Sequence, residues 1–302
     1  MIVSASGMVA CARPSTNSAS MRLALLTTLT MIAFAANSIL NRVAVESGAI
    51  DPSSFAMIRV LSGAVALCMI LAVRGGALPV AGRGRLLGAA SLSAYMIGFS
   101  LAYVTLDAGL GALILFGTVQ VAMFGWSALR GAAPSMRQLG GAAIAFVGLI
   151  LALWPKDGAG GDLVGAALMV IAGVGWAIYT LSGKGSTDPL AATAANFVVA
   201  MPMLLVLLLG AGLHAAPMGV ALAIVSGAVT SGLGYALWYY VLPQLDVQTA
   251  PVVQLSVPII AIAAGALLLG EAITLPIGVA AALVLGGIAL AVTSPTVQAD
   301  HK

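Results

Sequence analysis

VQTAPVVQLSVPIIAIAAGALLLGEAI, residues 247–273, is long and apolar enough to cross a bilayer, yet it holds Pro251, Gln254, Ser256 and Pro258 within two turns and ends in Gly270-Glu271. A span that only sits in lipid gains nothing from two prolines and an amide. Proline leaves the carbonyl four residues before it without a donor and bends the helix. At membrane depth such groups are tolerated only where protein or a water-filled cavity takes them up. The stretch therefore reads as a helix lining a substrate path, with Pro251 and Pro258 as hinge candidates and Gln254 and Ser256 as polar contacts between them.

Composition extends the membrane reading to the whole chain. Of 302 residues 61% are hydrophobic and 7% are charged, against about 25% charged in an ordinary soluble domain. A span needs about 20 apolar residues, and candidates follow one another at 23–42, 54–73, 86–106, 108–129, 138–154, 163–182, 190–210, 218–241, 247–269 and 274–293. These ten transmembrane helices define an all-α integral membrane protein. Residues 1–21 read as a disordered cytoplasmic tail and 294–302 as a second one. A start at Met21 would lose nothing identifiable.

With a cytoplasmic N-terminus, that side receives Arg13, Arg22, Arg74, Arg83, Arg85, Arg130, Arg137, Lys184 and Lys302, and the opposite side only Arg42 and Lys156. The bias places both termini in the cytoplasm. AIDPSSFAMIR (49–59) aligns with STDPLAATAAN (186–196), and LGGAAIAFVGLILAL (139–153) with PIGVAAALVLGGIAL (276–290), each about 137 residues apart. That spacing is five spans, so the halves 22–154 and 162–293 enter the membrane in opposite senses. Such an inverted repeat is a secondary-transporter architecture with substrate held between the halves.

Several chemistries have no residues to stand on. LSGKG (181–185) lacks the first glycine and the Ser/Thr of a phosphate loop, and there is no HExxH, Cys/His metal spacing or nucleophile–base set. No enzyme, cofactor or metal site is expected, nor a nucleic-acid partner, since the net charge of +3 comes from arginines scattered over short loops. The acids lie in loops or at helix ends. Without a carboxylate or histidine inside the membrane, transport is expected to be facilitated diffusion or weakly coupled.

The candidate substrate residues are Asn37 in the first span; Tyr95 and Phe99 in the third; Gln120 in the fourth; Trp176 and Tyr179 in the sixth; Tyr235 and Trp238 in the eighth; and Gln254 and Ser256 in the ninth. Tyr95, Phe99 and Tyr103 share one helix face at i, i+4 and i+8. Interhelical hydrogen bonding competes with substrate contact for Asn37, Gln120 and Gln254. Arg59 falls inside the second span, where it serves either structure or an anionic group. A cavity of this make-up suits a small, near-neutral or zwitterionic molecule with an apolar part. A nucleotide sugar would call for several buried cations.

The chain also resembles the EamA branch of the drug/metabolite transporter superfamily over residues 22–293. FAANSILNR (34–42) is similar to its first-helix aromatic-x-x-Asn-x-x-x-x-Lys/Arg pattern, and Arg59 falls where its second helix often has arginine. Gly234-Tyr235-Ala236-Leu237-Trp238, Pro258, Leu269-Gly270-Glu271 and Gly278 match its second-half signature. The first half departs from it: Arg130-Gly131-Ala132-Ala133 replaces the expected glutamate region, and Gln120 stands where Pro258 aligns. The resemblance implies efflux across a bacterial inner membrane by alternating access. Amino acids and related metabolites are common cargo, and the YddG-type amino-acid exporters suit the aromatic residues best. Drug or organic-cation efflux is the alternative. Glu271 reads as a helix-end or inter-repeat contact. The small-molecule substrate and the lipid bilayer are the expected partners, and a monomer and a homodimer fit the sequence equally.

Overall fold

The computed structural model describes residues 16–82, 84–130, 135–153, 162–183, 186–207, 213–245 and 253–292. The described residues are helical apart from short turns and one isolated bridge between Ile50 and Ala215. The helices are α1 (Thr16–Glu46), α2 (Pro52–Val73), α3 (Arg85–Ala102), α4 (Ala108–Leu129), α5 (Met136–Leu153), α6 (Leu163–Gly183) and α7 (Pro189–Leu207). Then come α8 (Pro217–Gln244), α9 (Ser256–Leu269) and α10 (Leu275–Val292). Six of them are long and apolar enough to cross a membrane, and four are shorter apolar helices. The chain is a multi-pass membrane protein.

The boundaries differ from the sequence expectation in three places. First, α1 begins at Thr16, inside the stretch 1–21 expected to be a disordered tail. The polar run Thr16-Asn17-Ser18 has the residue types that open helices. Second, α3 stops at Ala102, four residues short of the expected 106, and Tyr103 closes it with its N–H on Phe99 O. Third, the expected ninth span is interrupted. The chain makes a turn at Leu255 and the helix runs from Ser256. Pro258 thus sits in a first helical turn, where its missing N–H would have had no intrahelical partner. Pro251 lies outside the described residues.

The core forms where wide apolar faces meet. The closest pairings are α5 on α10, α3 on α6 and α2 on α7 and α8; α4 also packs on α6 and α9, α1 on α8 and α9, and α3 on α7. This list keeps its form when each helix is exchanged for the one five places away. For example, α1 against α8 and α9 becomes α6 against α3 and α4. Glycine lets the backbones touch at the α5–α10 crossing. A Cβ at Gly287 would lie 2.5 Å from Gly141 O and 2.6 Å from Ala145 N, and one at Gly148 would lie 2.8 Å from Val284 N.

The two Asp-Pro pairs build the same local structure. Asp51 Oδ1 accepts from Ser54 N at 2.9 Å ahead of α2, and Asp188 Oδ1 accepts from Ala191 N at 3.1 Å ahead of α7. Each proline occupies the first helical position, where its fixed φ helps and its absent donor costs nothing. Asp51 also accepts from His214 N at 2.9 Å, tying the α1–α2 turn to the segment before α8. Burial pushes the Asp51 carboxyl upward, but hydrogen bonds from Ser54, His214 and Ser53 outweigh it and hold it below the ordinary 3.8. A depressed folded-state pKa gives stability that is present above 3.8 and lost as pH falls through the folded value. Asp51→Asn is therefore expected to flatten the acid limb of melting temperature against pH, measured from about pH 5 down to about pH 2. Asp51→Ala should lose about 1 kcal/mol with the cap.

Candidate functional site

Helix α8 decides how the site is built. It is α-helical over Pro217–Val225, widens to a π-helix over Ser226–Leu233 and returns to α over Gly234–Val241. Such widenings shift the face that a helix presents and are common at functional sites. Here the wide turn carries Ser226, Thr230 and Ser231, all buried, toward α1 and α2. Gly227 permits the approach, because a Cβ there would run into Ser62 Oγ and the Arg59 carbonyl.

Two polar clusters result. On α1, Asn37 Oδ1 accepts hydroxyl donors from Ser226 at 2.9 Å, Ser231 at 3.3 Å and Thr230. On α2, Arg59 is 0% exposed. Its Nε donates to Ser231 Oγ at 2.8 Å, and its Nη2 to the hydroxyls of Tyr95 at 2.9 Å and Tyr235 at 3.3 Å. The guanidinium carbon lies 5.3 Å from the centre of the Tyr95 ring and 5.0 Å from that of Phe99. Nη1 has no acceptor among the described residues. Among the described residues the ion pairs are those of Arg42 with Glu46 and Asp107, so Arg59 has no carboxylate partner there. Burying an ion costs several kcal/mol even after relaxation. Neutral oxygens and ring faces offset part of that, each ring contact by about 0.5–2 kcal/mol.

Beside these clusters lies a cavity lined by Phe34, Asn37, Ser38, Tyr95, Phe99, Leu115, Phe116, Trp176 and Tyr235. The lining comes from α1, α3, α4, α6 and α8. Its rings pack edge-on or tilted, with Trp176 5.0 Å from Tyr95, 4.8 Å from Tyr235 and 5.9 Å from Phe34 between centroids. About 10 Å³ is open to the centre of a water molecule, room for about one water. The helices must separate before anything larger enters.

The structure brings Asn37, Tyr95, Phe99, Trp176 and Tyr235 together around this cavity. Tyr179 and Trp238 stand one layer behind it, against Trp176 and Phe34 respectively. Gln120 and Gln254 are buried away from the lining, and Gln120 Nε2 has no acceptor among the described residues. Ser256 bonds to Val253 O at 2.7 Å and serves the start of α9. The sequence reading named none of Ser226, Thr230 and Ser231 as a polar contact. Polar residues at i, i+4 and i+5 in an otherwise apolar span were the available signal.

One end of the helix bundle is closed by charged residues. Arg42 donates to Tyr103 O at 3.2 Å and Val104 O at 3.1 Å and pairs with Glu46 at 2.7 Å. Glu271 accepts from Ala108 N at 2.6 Å and Gly109 N at 3.3 Å, capping the start of α4. Gly270, at φ 70°, ends α9 in the left-handed conformation and turns Glu271 back over Gly265. A Cβ at Gly265 would collide with the Glu271 carboxylate.

A multi-pass helical protein that encloses a polar and aromatic chamber between helices from along its whole length has the build of a solute carrier. Comparison with known proteins gives the class its name: the chain belongs to the EamA-like transporter family, whose model matches residues 163–293. It is 47% identical over 272 residues to an uncharacterized protein of Pseudomonas aeruginosa, covering 89% of this chain and 94% of that one. An uncharacterized transporter of Archaeoglobus fulgidus is 28% identical over 216 residues, covering 68% of this chain and 75% of the relative. The fold is similar to that of a solved crystal structure at a TM-score of 0.61 and 17% identity, covering 87% of this chain and 97% of the other.

Proposed function

We propose that the chain is a secondary exporter of amino acids with aromatic or apolar side chains, or of related small metabolites, working by alternating access in a bacterial inner membrane. The observation that carries this reading is the closed cavity. It is contributed by both halves of the chain, walled by aromatic rings and bordered by Asn37 and the Arg59 cluster. Residues 22–154 and 162–293 act as two inverted repeats, with both termini cytoplasmic. The helix pairing that survives exchange of the halves and the matching Asp51 and Asp188 caps support that arrangement. Asn37, Tyr95, Phe99, Trp176 and Tyr235 form the contact surface, and Tyr179 and Trp238 back it. Gln120, Gln254 and Ser256 come into contact with cargo only after the helices move.

The turn at Leu255 ahead of Pro258 is the joint about which α9 swings. Pro258→Ala is expected to slow flux severalfold at normal expression, and unchanged flux would leave the joint without support. The carrier reading is tested by counterflow in proteoliposomes of the purified protein, with labelled phenylalanine, leucine and a lipophilic organic cation. Exchange of the amino acids is the expected result. Exchange of the cation alone would replace this reading with drug efflux.

A further inference from the structure

Arg59 carries a charge that nothing described in the protein balances. Its Nε and Nη2 bond only to neutral hydroxyl oxygens, its Nη1 bonds to nothing, and the described ion pairs lie elsewhere. The two tyrosines it reaches, Tyr95 and Tyr235, both line the cavity. A phenol oxygen that accepts from a guanidinium keeps its own hydrogen to give. Tyr235 gives its hydrogen to Tyr95 across 3.3 Å, which leaves the Tyr95 hydroxyl hydrogen to be given to a guest. The opposite charge is missing: among the described lining residues there is no acid, and Asn37 Oδ1 already accepts from three hydroxyls.

We infer that the cavity recognises its cargo by a carboxylate, which docks on the Tyr95 hydroxyl with the Arg59 charge behind it. The substrate class is the aromatic or apolar monocarboxylate, and an α-ammonium group is carried but not read. This deepens the carrier reading above and rests on it. Once the helices part, the apolar part of the cargo lies among Phe34, Phe99, Phe116 and Trp176, which line the closed cavity. The carboxylate supplies the counter-charge that a buried guanidinium lacks, so its own loss of water is repaid by a charge-assisted bond. An amine would bring a second positive charge beside the first.

The test is isothermal titration of the purified protein in detergent with four compounds of one shape: 3-phenylpropanoate, phenylalanine, 2-phenylethylamine and 3-phenylpropanol. Both acids are expected to bind, within a few-fold of each other and at least about tenfold tighter than the amine or the alcohol. Tyr95→Phe should cost the acids about tenfold and leave the alcohol unchanged. Arg59→Met should abolish binding of the acids while the melting temperature holds or rises, since an apolar side chain replaces a buried ion. A purely structural arginine would instead lower the melting temperature and weaken all four compounds alike, which overturns the proposal. Amine or alcohol binding as tight as the acids would overturn it too, as would binding of none of the four. Amino-acid counterflow is scored separately, so a working carrier with no carboxylate preference is distinguishable from no carrier at all.

Discussion

Gly287→Leu is expected to cost about 3 kcal/mol or more and to abolish a monodisperse, folded preparation, while Gly286→Leu is tolerated or slightly stabilising. Both glycines lie side by side on α10. At Gly287 a Cβ meets the backbone of α5 at Gly141 and Ala145, atoms that can yield only if the two helices part. Overpacking a well-filled site costs about 1–3 kcal/mol, more where backbone must move. At Gly286 a Cβ meets nothing within 4 Å and the residue is exposed on the outside of the bundle. Leucine there removes the helix penalty of glycine, worth about 0.5–1 kcal/mol. Thermal melting of the two variants in one detergent checks the pair. Equal melting temperatures would mean that α5 and α10 do not touch through Gly287.

The second large effect is expected at Glu271. Its carboxylate satisfies two of the orphan N–H groups that open α4, with an anion at the positive end of the helix dipole. Glu271→Ala should therefore lose about 1–2 kcal/mol. Burial raises the carboxyl above its ordinary 4.5 by more than the Ala108 and Gly109 N–H groups lower it. The charge is held there against a desolvation cost, so Glu271→Gln, a neutral side chain that keeps an acceptor, should lose less than Glu271→Ala. Gly265→Ala should behave like Glu271→Ala, because its new methyl group occupies the space of the carboxylate. If Gly265→Ala melts like the wild type, the turn does not hold Glu271 against α4.

These two sites also mark how far the sequence could be read. Long apolar runs announced the helices, because that signal is local; the Asp-Pro pairs were read only as a repeat, and their capping of α2 and α7 came from the structure. The cavity was legible only in part. Tyr95, Phe99, Trp176 and Tyr235 were among the candidate substrate residues, but so was Trp238, which the rotation of α8 sets behind Phe34. A membrane helix is apolar all round, so its sequence has little amphipathic stripe from which to read that rotation. The partners of Arg59 come from α3 and α8, and one of them rests on a π-helical turn that shifts the register of every residue after it. Glu271 was read from the sequence as a helix-end or inter-repeat contact. That the helix it caps is α4, in the other half of the chain, required the packing.

The unbalanced arginine has an electrical consequence. In the carrier and with the cargo proposed above, an empty protein with Arg59 at its centre would move one positive charge when it reorients, whereas one holding a monocarboxylate would move none. One turn of the cycle then exports one negative charge. Across a membrane that is negative inside, each 100 mV contributes about 2.3 kcal/mol to that export, close to a fiftyfold concentration ratio. On that proposal, outward transport of such a cargo draws on the resting voltage. The same protein carrying a zwitterion would be indifferent to voltage, and its cargo would simply level across the membrane.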